Sequence, residues 1–189
     1  MLHGVVLAGG QSRRMGQDKA MMQYKGNTLI QCASKILRSA GCQEILVSRN
    51  EDGYVGDKIP HVGPLGGVHG VLTFLGENKK SANAELLVLP VDMPLMLPTF
   101  LSAMVNYGRA QKRACYVRSR FMPFYMPIEK NTIPTLEDYL IEKNKRRVVG
   151  FLESINALAY ENLYDDNTKN SQWLNVNSPS DWPKEFGSI

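Results

Sequence analysis

Cysteine is scarce in this sequence, with three residues at 32, 42 and 115 among 189 and no CxxC pair. An odd, scattered set excludes a disulfide framework and a zinc site built on paired thiolates. It reads as buried small hydrophobes in a reducing, cytoplasmic setting. Histidine is equally sparse, at 3, 61 and 69, without ligand spacing. No apolar run approaches the roughly 18 residues of a membrane span. Residues 1–10 lack the basic start and long apolar centre of a signal peptide. Charge of one sign is also lacking: 22 Lys and Arg face 18 Asp and Glu, a net charge of +4. That excess is too small for a nucleic-acid footprint but suits a small anionic ligand. The one dense basic run, KNKRR at 143–147, reads as a solvated helix end. There are no repeats and no linker, so residues 1–189 are expected to form one domain.

What is present is an alternation of strand and helix signals. The apolar run at 5–8 ends in Gly-Gly, as a strand buried on both faces would. Residues 28–40 carry Leu29, Ile30, Ala33, Ile36 and Leu37 at helical spacing. A second strand follows at 45–47, then a loop at GPLGG (63–67), a helix at 68–75 and the strongest buried strand at 85–91. Pro94 and Pro98 bar helix continuation through the next turn. A helix at 99–111, strands at 114–117 and 124–128, helices at 135–144 and 147–154 and a strand at 157–160 complete the pattern. Such alternation predicts a three-layer α/β/α sandwich around a Rossmann-like, mostly parallel sheet.

Ligands of such sheets bind outside the carboxyl ends of the strands. Gly9 and Gly10 follow the first strand, residues 48–50 the second, and Asp92 the strongest, so all three sets belong on one rim. The stretch VLAGGQSRRMGQDKA at 6–20 is too polar for a core. Its paired glycines allow close backbone approach, and Arg14 and Lys19 add full positive charge for phosphate oxygens. It is neither a Walker A loop, since Gln17 follows Gly16, nor a G-x-G-x-x-G fingerprint.

Residues 7–20 resemble the signature of the molybdenum cofactor guanylyltransferases, within the wider nucleotidyltransferases. GPLGG resembles that family's GPLAG, PVDMP (90–94) its (C/V)-D-x-P segment, RRV (146–148) an RRV element and NVNSP (175–179) its NVNTP. The motifs fall in the family's order over almost the whole chain. The resemblance implies the fold of the nucleotide-diphospho-sugar transferases. It also implies GMP transfer from GTP to the phosphate of molybdopterin (or Mo-molybdopterin), with release of pyrophosphate and with Mg²⁺ as cofactor. By motif, Leu7, Ala8 and Gly9 contact the nucleotide through main-chain groups and Gly10 helps seat the phosphates. Arg14 and Lys19 neutralise the triphosphate and the leaving pyrophosphate. Asp92 binds Mg²⁺, Asn177 is a second metal-shell residue, and the loop with Gly66 lines the guanosine or pterin side. Asp18 either orients Lys19 or is merely exposed. Partners beyond GTP and the pterin extend to molybdoenzyme maturation proteins; nucleic acid and membrane are not expected.

The pattern departs from the family in three places. The spacing from Gly16 to Lys19 is tighter. The family's VNAN after the second strand is here Val47-Ser48-Arg49-Asn50, so Ser48 replaces an asparagine expected near the nucleotide. The acid that precedes GPLAG, suited to the N1 and N2 donors of guanine, has no counterpart at 58–62, and Asp57 is the nearest candidate. Two other functions therefore stand beside the first: a related cytidylyltransferase or sugar-phosphate nucleotidyltransferase, and a non-catalytic nucleotide-binding adaptor.

Overall fold

The structure, a computed structural model, describes residues 1–9, 18–80, 82–118, 120–161, 172–176 and 181. The first strand, β1 (Leu2–Leu7), is buried along its whole length. Its alternate side chains feed two different cores. Leu2, Val6 and Ala8 join one cluster, and Val5 and Leu7 join the other. This two-sided burial explains why the strand reads as a continuous apolar run rather than an alternation.

A small hairpin of β2 (Gln23–Tyr24) and β3 (Asn27–Thr28) follows, and its turn uses Gly26 at φ 74°. The sequence reading missed it, because two-residue strands carry no periodicity. Helix α1 (Leu29–Ser39) starts on a capping box: the Gln31 amide donates to the Thr28 hydroxyl and the Thr28 amide to the Gln31 side chain. Beyond it come β4 (Glu44–Ser48), α2 (Pro64–Glu77), β5 (Glu85–Pro90), α3 (Pro98–Gln111), β6 (Cys115–Val117), β7 (Phe124–Pro127), α4 (Thr132–Glu137), α5 (Val148–Ser154) and β8 (Leu158–Tyr160). A π-helical turn, Asp138–Glu142, continues α4.

Two expectations need correction. GPLGG is not a loop: Gly63 caps α2 at φ 71° and the next four residues are its first turn. Proline at the first helical position forfeits no hydrogen bond, which is also why α3 begins on Pro98, one residue before the expected start at 99, while residues 93–97 stay non-helical as expected.

The main sheet has the order β4-β1-β5-β7-β6-β8. β1 pairs in parallel with both β4 and β5, and β6 with β8; β7 runs antiparallel to β5 and β6. The chain leaves β1 for β4 on one side, then crosses to β5 on the other. Helices α1 and α3 pack on one face; α2, α4 and α5 pack on the opposite face. This is the expected three-layer α/β/α sandwich, with its topological switch between β1 and β5, the place where ligands of such sheets bind at the carboxyl ends. Cys42 and Cys115 are buried and Cys32 half-buried, all unpaired, and burial pushes the first two thiols up to about 12. Among the described residues no helix is long and apolar enough to cross a membrane.

Candidate active site

Among the described residues, the switch point brings together Leu7, Ala8, Gly9, Lys19, Ser48 and Asp92. The Val91 amide donates to the Leu7 carbonyl at 3.0 Å, and the Ala8 amide donates to the Ser48 carbonyl at 3.0 Å, so the three strand ends are bonded to each other. The Leu7 carbonyl and Ala8 amide are thereby used within the sheet. Gly9, exposed, is the first residue past those bonds. Among the described residues, a Cβ there would meet only the Ser48 carbonyl, at 3.9 Å, so none of them demands a glycine at this position.

Asp92 stands two residues beyond β5 and is held from three directions. Lys19 Nζ donates to its Oδ2 at 3.2 Å. The Asn175 amide, with its nitrogen turned toward the acid, donates to Oδ1 at 2.8 Å and to the Asp92 carbonyl at 3.2 Å. The Val176 amide adds a bond to that carbonyl at 3.0 Å. Lys19 and Asp92 lie far apart in sequence, and the fold brings them into one ion pair at the crevice. Asn175 was legible as part of NVNSP, but spacing alone did not distinguish it from Asn177. Gly10, Arg14 and Asn177 lie outside the described residues.

Lys19 rides on a short 3₁₀ turn, Lys19–Met21, capped by Asp18, whose Oδ1 accepts from the Ala20 amide at 3.1 Å. The same carboxylate binds Arg49: Nη1 donates to Oδ1 at 3.1 Å and Nη2 to Oδ2, while Nη2 also reaches Glu51 Oε1. The guanidinium holds the Asp18 carboxyl below the usual carboxylate range, and the two acids raise Arg49 in turn. Asp18 is therefore neither idle nor a direct partner of the Lys19 ammonium; it fixes the turn that carries it. In the sequence, Arg49 stands out only as a departure from VNAN.

The amino end of α2 completes the rim. Ser48 is 2% exposed, and its hydroxyl lies where a Cβ on Gly67 would have to go, at 2.2 Å. Ser48 thus serves helix–sheet packing through its side chain. Gly66 is buried in the same turn, and a Cβ there would stand 3.3 Å from Asp57 Oδ2. Asp57 is placed by Asn50, which donates to Oδ2 at 3.2 Å and accepts from the Asp57 amide at 2.7 Å. The tertiary structure therefore brings an acid to GPLGG from six residues upstream of Gly63.

Among the described residues no three His, Cys, Asp or Glu side chains cluster closely enough to hold a metal by themselves. A lone half-buried carboxylate beside an asparagine fits Mg²⁺, which takes one or two carboxylates and completes its shell with phosphate oxygens and water.

Comparison with known proteins agrees with this geometry. The family model described as "MobA-like NTP transferase domain" matches residues 4–157. A protein of Xanthomonas euvesicatoria pv. vesicatoria named molybdenum cofactor guanylyltransferase is 31% identical over 96% of this chain and 92% of its own. A Pelotomaculum thermopropionicum protein named probable molybdenum cofactor guanylyltransferase is 30% identical over 96% and 90%. The crystal structure of molybdopterin-guanine dinucleotide biosynthesis protein A from Archaeoglobus fulgidus superposes with a TM-score of 0.73 at 20% identity, covering 95% of this chain and 94% of that one. With a family match that runs from within β1 to the residue before β8, and relatives aligned nearly end to end, this chain belongs to the MobA-like NTP transferases and is a nucleotidyltransferase.

Proposed function

We propose that the chain transfers GMP from GTP to the phosphate of molybdopterin, as one cytoplasmic nucleotidyltransferase domain working with Mg²⁺. The observation that carries this reading is the Lys19–Asp92 pair at the β1/β5 switch point, 3.2 Å apart. A pterin phosphate is already a nucleophile, so no activated serine or cysteine is required. Its oxygen attacks the α-phosphorus of GTP, one P–O bond forms, and the bond to the β-phosphate bridge breaks, releasing pyrophosphate. The difficulty is that two anions must meet. Alignment and charge neutralisation supply most of the rate in such transfers. Mg²⁺ held by Asp92 supplies part of that neutralisation when bound. Lys19 takes the triphosphate and then the leaving pyrophosphate, and Arg14 joins it by motif. Gly9 and Gly10 bring the main chain close to the phosphates, Leu7 and Ala8 form the floor beneath, and Asn177 extends the metal's surroundings.

For the base, Asp57 supports guanine. Held by Asn50 at the first turn of α2, it offers oxygens to the N1 and N2 donors, a pair that cytosine lacks. Ser48 and Gly66 shape that side from below. The test is incubation with Mg²⁺, molybdopterin and each nucleoside triphosphate in turn, with pyrophosphate as readout. Release with GTP alone is expected. Preference for CTP would replace the base assignment, and tight binding without turnover would make the chain an adaptor.

A further inference from the structure

The Arg49 side chain is 7% exposed, yet its head reaches the cap of a three-residue turn. Burying a guanidinium against two carboxylates is costly to desolvate and is a poor device for stability alone. Its root is rigid: the Arg49 amide donates to the Val55 carbonyl at 2.9 Å, extending β4, and the guanidinium carbon lies 5.8 Å from the Tyr54 ring centre. Its head holds Asp18 with two parallel bonds, and Asp18 caps the turn bearing Lys19. Of that turn's three residues, Ala20 is the one buried in the core, and Lys19 and Met21 stand outside it. A continuous path therefore runs from β4 through Arg49 and Asp18 to Lys19 and on to Asp92 on the far side of β1.

We propose that Arg49 is a positioning residue that sets where the Lys19 ammonium stands relative to Asp92. It also adjoins Asn50, which places Asp57, so one clamp lies between the side chains assigned to the phosphates and to the base. Arg49 acts through Lys19, and the proposal rests on the reading of Lys19 as a phosphate ligand.

A cycle of Arg49→Ala and Lys19→Ala tests it. Misplacing a phosphate ligand costs about 10- to 100-fold in kcat/KM, and that is the loss expected for Arg49→Ala. Arg49→Lys, which keeps the charge but not the fork, should recover part of the loss. In the Lys19→Ala background, Arg49→Ala should change kcat/KM by no more than about twofold, since the residue it positions is gone. An equal loss in both backgrounds, or no loss in the parent, overturns the proposal. A second readout needs no turnover: the ¹³C-methyl signal of reductively methylated Lys19 should move in Arg49→Ala. A signal left in place also overturns it. If Arg49→Ala does not fold, Asp18→Asn breaks the same clamp from its more exposed partner. Should the parent release no pyrophosphate from any nucleoside triphosphate, the proposed function fails, while the Lys19 signal still decides the role of Arg49.

Discussion

The two ends of the sheet each carry an arginine–carboxylate clamp, and the clamps do different work. At the carboxyl end, Arg49 grips Asp18 and Glu51, both on connecting segments outside the sheet. At the opposite end, Arg109 on α3 grips Glu85 on β5 with three bonds of 2.6–3.2 Å, and the Tyr125 hydroxyl on β7 donates to Glu85 at 2.6 Å. Every partner in the second set sits on an element that core packing already fixes. Removing Arg109 loosens nothing that the cores do not hold. The partners of Arg49 lie on connecting segments, where the lysine turn is anchored to the core through Ala20 and tied to β4 through the clamp. The clamp at the amino end joins elements of the core; the clamp at the carboxyl end is the one we propose serves the site.

This contrast can be broken by substitution. The largest effect is expected for Asp92→Ala at the crevice. Pyrophosphate release should fall by about 1000-fold, or about 4 kcal/mol of barrier, with circular dichroism and thermal unfolding unchanged. A folded Asp92→Ala protein with near-parental turnover would remove the metal assignment.

Next come two glycines of the rim. Gly67→Ala forces a Cβ to within 2.2 Å of the Ser48 hydroxyl, and should cost about 1–3 kcal/mol of stability in urea denaturation. Gly9→Ala meets nothing nearer than 3.9 Å among the described residues, so it should fold as the parent does while KM for GTP rises. Equal stability losses in both variants would dissolve the distinction between a packing glycine and a ligand-facing one.

Arg109→Ala should cost no more than about 1 kcal/mol, because the guanidinium is half exposed and water screens the pair. Its kcat/KM should stay at the parental value, in contrast to Arg49→Ala. The smallest effect concerns His3, fully buried at the amino end of β1, with Nδ1 3.1 Å from Glu44 Oε2. Burial lowers its pKa below the ordinary histidine value, against the opposing pull of Glu44 and with help from the N-terminus and Lys80. The unfolded chain takes up a proton there near pH 6.5, and the folded chain only at lower pH. Stability should therefore rise with pH through that interval and fall as the solution is acidified. Thermal midpoints measured from pH 7 downward should show this slope, and His3→Leu should flatten it.

Much of the fold was legible because its signals are local. The strands at 85–91 and 45–47 and the helix at 28–40 were found within one or two residues of their ends, since burial on two faces and helical spacing leave marks in short windows. The β2–β3 hairpin and the true start of α2 were not. The hairpin is too short for any period, and GPLGG carries turn residues that a helix start also favours. In the site, Lys19 and Asp92 were readable from motif and strand position. Arg49 was not, and NVNSP alone did not single out Asn175, because the partner lies 31 residues away in one case and on a separate segment in the other.

The sequence by itself determined the layered α/β class, and it marked the rim and the charged residues proposed for the chemistry, because apolar runs, glycine pairs and strand-end acids are properties of adjacent residues. Only the tertiary structure decided which carboxylate meets which cation, that Asp57 comes to the first turn of α2, and that Arg49 supports Lys19. Those outcomes depend on how β4, β1 and β5 are ordered in the sheet, and strand order is set by long-range packing that no short stretch of chain encodes.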